Sequence, residues 1–99
     1  MLFGKIQIGQ KSVSIDAELV TVGEVRSFDK EGHLTRVVTC VMKDEAGEEF
    51  EASVWNNDID KLKLGTKFRF EGCMCNDFGG KKQITTGKFG RLRCLDETL

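Results

Sequence analysis

The chain has no proline, one tryptophan, one histidine and no long apolar run in its 99 residues. Each shortage excludes something. A bilayer-crossing helix needs about 20 consecutive apolar residues, and no such stretch occurs. The opening "MLFGKIQIGQ" has neither the continuous apolar core nor the cleavage site of a secretory signal. A cytoplasmic, nucleoid-associated location is therefore expected, or a nuclear one in a eukaryote. In such a compartment Cys40, Cys73, Cys75 and Cys94 read as reduced, packed thiols rather than a disulfide framework. They lack zinc-site spacing as well, because Cys73 and Cys75 are one residue apart and the other two would have to converge from elsewhere. The lone His33 has no visible nucleophile or orienting partner with which to act as a catalytic base. No phosphate-binding G-x-x-x-x-G-K-[ST] motif is present, and "DFGG" stands without the other motifs or the length of a kinase. The sequence thus predicts no enzyme activity, metal, cofactor or small-molecule substrate.

An excess of either charge is also missing, since the formal net charge is -1. The charges are unevenly spread. Seven acidic residues and no basic one lie between Asp44 and Asp60, whereas residues 61–99 hold nine basic residues against four acidic. The run from Asp44 to Glu51 lacks the spaced oxygen ligands of an EF-hand loop, so its expected effect is to repel phosphates near a hairpin tip. With 39% hydrophobic and 31% charged residues, the composition is that of one folded domain over residues 1–99, with 1–10 a lead-in and 95–99 a frayed tail.

What is present is β patterning. Val13, Ile15, Ala17 and Leu19 alternate with polar residues, the period of a half-buried strand. Val20 and Val22 change the parity and Gly23 follows, which predicts a bulge in a long first strand running to Phe28. "DKEGH" reads as a loop and "LTRVVTCVMK" as a second strand. The "DEAG" turn leads to a third strand ending at Trp55, with Phe50, Ala52 and Val54 on one face and Glu51, Ser53 and Trp55 on the other. "NNDIDKLKLG" predicts a short helix, Asn or Asp capping it and Ile59 and Leu62 facing inward. "TKFRFEGCMC" is a fourth strand, "NDFGG" a turn, and "KKQITTGKFGRLRCL" a fifth strand interrupted by Gly87 and Gly90. In the fourth strand simple alternation from Phe68 and Phe70 would put Met74 in the core, whereas a bulge near Gly72 would turn Cys73 and Cys75 inward, where two thiols pack well, and Met74 out. An all-β, five-stranded OB-fold Greek-key barrel, with a short helix between strands three and four, has this order; an SH3-like barrel would share the count.

In "VTVGEVRSF", "VMKDEAGEEFEASVWNN", "KLKLGTKFRFEG" and "NDFGGKKQITTGKFG" the chain resembles the OB domains of archaeal single-stranded DNA-binding proteins and replication protein A. The resemblance implies non-catalytic single-stranded DNA binding in replication, repair or recombination, across the outer face of strands two and three. By position it makes Trp55 and Phe78 stacking platforms. Met74 and Thr85 stand where relatives carry further aromatics, which implies a modest binder or one that works beside sibling OB domains. Single-strand binding also needs cations interleaved with flat apolar faces. Arg26, Phe28, Lys30 and Arg36 flank the first loop, and Phe78, Lys81, Lys82, Lys88, Phe89, Arg91 and Arg93 follow the fourth strand. Phe28 and Phe89 could equally be core or rim residues. Two other readings stay open: an OB subunit that binds replication or repair proteins, and an RNA-binding OB domain.

Overall fold

The computed structural model describes residues 2–86 and 90–95. Within them lie β1 (Val13–Val22), β2 (Arg26–Lys30), β3 (His33–Asp44), β4 (Glu49–Trp55), β5 (Lys67–Phe78), β6 (Lys81–Thr85) and β7 (Arg91–Cys94). Short 3-10 helices occupy Phe3–Lys5 and Asn56–Lys61. β1 pairs with β3, β3 with β4, β4 with β6 in parallel, β6 with β5, and β5 back to β1. Those five strands close a ring, which removes the free edges an open sheet would expose. β2 continues along β3 beyond the end of β1, and β7 continues along β5 beyond the end of β6. The five expected strands are therefore present, the first divided at residues 23–25 into β1 and β2, and the fifth represented by β6 and β7.

Alternation fills the ring. Val13, Ile15, Ala17 and Leu19 of β1, Val38, Cys40 and Met42 of β3, and Phe50, Ala52 and Val54 of β4 are buried together with Phe68, Phe70, Ile84 and Leu92. Two irregularities let the strands bend around them. Between Leu19 and Thr21 the β1–β3 register slips, as the parity change predicts, and Gly23 then donates its N–H to the Thr39 carbonyl at 3.0 Å. A Cβ on Gly23 would lie 2.7 Å from that oxygen, so only glycine permits the approach. In β5, Phe70 faces Ile15 but Cys73 faces Val13, three residues against two, with Gly72 at φ 63. This is the expected bulge: Cys73 and Cys75 are buried and Met74 is turned outward.

Three expectations need correction. "DKEGH" is not an open loop: β2 and β3 form a tight hairpin whose two turn residues, Glu31 and Gly32, both have positive φ, the geometry that matches strand twist. Asn56 does not cap the helix that follows it; its Oδ1 accepts the Arg36 N–H at 3.0 Å, and no side chain caps that helix. Ile59 and Leu62 do pack on the core. Residues 2–10 are also more than a lead-in. Phe3 stacks on Phe50 at 4.4 Å between centroids and Ile6 is fully enclosed, each such burial stabilising by roughly 1.5–3 kcal/mol.

Candidate nucleic-acid interface

Partners across a sheet share a face, so the register itself assembles the outer wall. Val37 of β3 lies between Arg26 and Trp55. Beside it runs the row Thr39, Ser53, Thr85 and Met74, and then the row Val41, Glu51, Gln83 and Asn76. Phe78 and Lys81 end the wall at the β5–β6 turn. Arg26, Phe28, Trp55, Met74, Phe78, Lys81 and Thr85, all expected at the site, thus occur on one continuous surface.

Trp55 is half-buried, held at the end of β4. Its Nε1–H donates to Thr85 Oγ1 at 3.0 Å, and the Phe28 ring meets it edge-on, with centroids 6.3 Å apart and planes at 85°. Edge-to-face packing of this kind favours a fixed ring. Phe28 is 41% exposed, so it lies on the outer surface and not in the core. Thr85 plays a different part from the one its position implied: it is buried, and its hydroxyl serves the indole rather than the surface. Phe78 is 70% exposed where the chain turns through Gly79 and Gly80, and Asp77 Oδ1 accepts the Gly80 N–H there at 2.9 Å.

Two expected cations are engaged elsewhere. The Arg36 guanidinium bridges Asp60 at 3.2 Å and bonds the Asn56 carbonyl, tying β3 to the 3-10 helix. Lys82 points away from the wall, donating to the Phe3 and Ile6 carbonyls at 3.0 and 2.7 Å with its ammonium over the Phe3 ring. Lys88 and Phe89 lie outside the described residues. Lys30, opposite His33, faces the same way as Arg26, and so does Lys43, which pattern reading did not single out. The wall then carries Arg26, Lys30, Lys43 and Lys81 against Glu18, Glu49 and Glu51, with Glu18 and Glu49 on either side of Lys43 and Lys81 bridged to Glu51 at 3.3 Å. The strand register was the signal that could have found Lys43.

The remaining chemistry is structural. Burial pushes the Cys40 and Cys73 thiols up to about 12 and raises Cys75 too, so they stay protonated and are poor metal ligands or nucleophiles at neutral pH. Among the described residues no three His, Cys, Asp or Glu side chains are grouped to hold a metal.

This closed ring, with β4 and β6 parallel and a 3-10 helix entering β5, is the arrangement of known solved domains. The second OB-fold domain of replication protein A from Methanococcus maripaludis matches with a TM-score of 0.79 and 17% identity, over 100% of this chain and 97% of that one. The fold is an OB fold. The replication factor A related protein from Methanobacterium thermoautotrophicum gives 0.80 and 18% identity, covering 97% and 90% of the two chains. A replication protein A heterotrimer bound to single-stranded DNA gives 0.74 and 12%, this OB domain covering 98% of its own length and 25% of that chain. No protein-family model matches the sequence, and no curated relative does.

Proposed function

We propose that this OB domain is a non-catalytic binder of single-stranded DNA, acting in replication, repair or recombination within the cytoplasm or nucleus. The observation that carries the reading is the pinned indole of Trp55, with Phe28 against it and Phe78 exposed on the same wall. Bases stack on such rings whatever their sequence, each worth roughly 1–3 kcal/mol. Arg26, Lys30, Lys43 and Lys81 neutralise phosphates along the strand, and Met74 adds a soft apolar contact between the two platforms. Lys88 and Phe89 join them in this proposal. The similar replication protein A heterotrimer, itself bound to single-stranded DNA, supports both this ligand and sibling OB domains as partners.

Titration with an oligo-dT strand, read by Trp55 fluorescence, tests the proposal. Quenching is expected, with log affinity falling against log salt at a slope of roughly -2 to -3 for three or four phosphates. Trp55→Ala, which removes the only tryptophan and is therefore followed by anisotropy of a labelled oligo-dT, should weaken binding by about tenfold or more. Silence at tens of micromolar protein in low salt would point instead to a protein-binding OB subunit, a reading favoured by Leu34, 73% exposed on the β2–β3 hairpin. Competition with oligo-U distinguishes an RNA ligand.

A further inference from the structure

The wall between the two aromatic platforms is not inert. Ser53, Gln83 and Thr85 face outward by register, yet each is at least nine-tenths enclosed by the longer side chains around it. Thr85 accepts from the indole. Ser53 Oγ–H donates to Gln83 Oε1 at 2.8 Å, which fixes the carboxamide. Gln83 Nε2 has no partner among the described residues. No fully enclosed side-chain polar atom there lacks a partner, so this amide nitrogen must open to the surface through the wall. Gln83 is only 5% exposed, so a ligand that covers the opening must accept from that nitrogen or leave a donor unpaired, which is costly. Its flanking partners in register are Glu51, already bridged to Lys81, and Asn76 of β5.

We infer that Gln83 reads a base edge: its Nε2 donates to an exocyclic carbonyl of the nucleotide seated beside Trp55. The inference rests on the single-strand reading above and adds selectivity to it. Gln83 lies two positions before Thr85, about 7 Å along a strand, so the amide lies next to the stacking platform. The atom that reaches the surface is the nitrogen, a donor. An amide set flush in a wall meets the groups that project furthest from a base, the exocyclic ones. A carbonyl there accepts the proton, whereas an exocyclic amine sets donor against donor. Thymine, uracil, guanine and cytosine each present a carbonyl; adenine presents none. The site therefore discriminates against adenine, although stacking by itself accepts every base.

The test uses two short oligo-dT strands in which one central base is replaced, by adenine in one and by hypoxanthine in the other, so that neither strand pairs with itself. These purines share a ring frame and differ at the exocyclic position, amine against carbonyl. The wild-type protein should bind the hypoxanthine strand about 3- to 10-fold more tightly, the range of one hydrogen bond. Gln83→Met, similar in length and apolar, should bind both strands equally while keeping its Trp55 fluorescence and melting transition. Equal affinities in the wild type, or a preference that survives in Gln83→Met, overturn the assignment to Gln83. Failure of the wild type to bind either strand overturns the single-strand reading itself, and the proposal with it.

Discussion

At the scale of single residues, the proposed binding role depends on side chains that hold the wall in shape as well as on those that would meet a base. Thr85 is the clearest case, since its hydroxyl holds the indole edge that a base would stack beside. Thr85→Val keeps the shape and removes the acceptor. We expect a loss of about 1 kcal/mol in stability, the usual net worth of one hydrogen bond, a shift in Trp55 emission, and several-fold weaker oligo-dT binding. A melt and a fluorescence titration on the same sample check all three. Lys82 makes the complementary case, because its ammonium fastens the N-terminal segment to β6 through two carbonyls and a ring. Lys82→Met should cost about 1–3 kcal/mol by denaturant unfolding, while the salt slope of DNA binding stays unchanged; a slope reduced by about one would return Lys82 to the phosphate path. Sequence alone placed Lys82 and Arg36 with the phosphate-binding cations, since a basic residue looks free until its partner is known. Those partners lie 79 and 24 residues away for Lys82 and Arg36, beyond any local pattern.

Elements were legible where period and punctuation agreed. Alternation in β1 and β4 and the parity change before Gly23 follow from which residues must face inward, whereas the bulge at Gly72 breaks simple alternation and was expected from the family resemblance and the packing of two thiols; the structure places all of them so. The β2–β3 hairpin was not legible, because its turn uses Glu31 at φ 52 in place of the Asn, Asp or Gly that ordinarily marks two positive φ angles. The packed segment before β1 escaped for another reason: Phe3 and Ile6 follow neither a period of two nor one of 3.6, and their burial depends on Phe50 and Lys82 from distant strands. The Gly72 bulge makes its own prediction. A side chain at that left-handed φ costs roughly 1–2 kcal/mol, so Gly72→Ala should lower the unfolding free energy by about that amount. If relief of the strain shifted the register by one residue, Met74 would turn inward and the two thiols outward. Thiol labelling under native conditions distinguishes the outcomes: Cys73 and Cys75 stay protected if the bulge holds and react if it slips.

For the molecule as a whole, Asp44 joins three parts of the barrel. Its Oδ2 accepts the Phe3 N–H at 3.0 Å, while Oδ1 accepts those of Ala46 and Glu48 at 2.9 and 3.0 Å, so one carboxylate secures the N-terminal segment and the β3–β4 turn. Burial pushes this carboxyl up, but the backbone N–H groups of Phe3, Glu48, Ala46 and Gly47 together outweigh it and hold it below the usual range. Asp16 is lowered too, chiefly by its hydrogen bond from Arg69 at 2.7 Å, though that pair is exposed enough to be screened. A carboxyl that is more acidic folded than unfolded contributes stability above its ordinary pKa near 4, and loses it as the pH falls through the lowered value. The melting temperature should therefore be flat from about pH 7 to 5 and fall progressively below about 4. Asp44→Asn keeps the shape but removes the titration. It should be less stable at pH 7, by about 1–3 kcal/mol on hydrogen-bond accounting, with a shallower fall in acid, so that the two melting curves converge as the pH drops. Parallel curves would mean that Asp44 contributes shape and not charge. β3 runs from His33 to Asp44, and the indole sits opposite Val37, seven residues or roughly 24 Å from the acid-sensitive end. Acid should accordingly release the N-terminal segment before the Trp55 environment changes, with near-neutral indole emission persisting to a pH at which protection of the Phe3 amide is already lost.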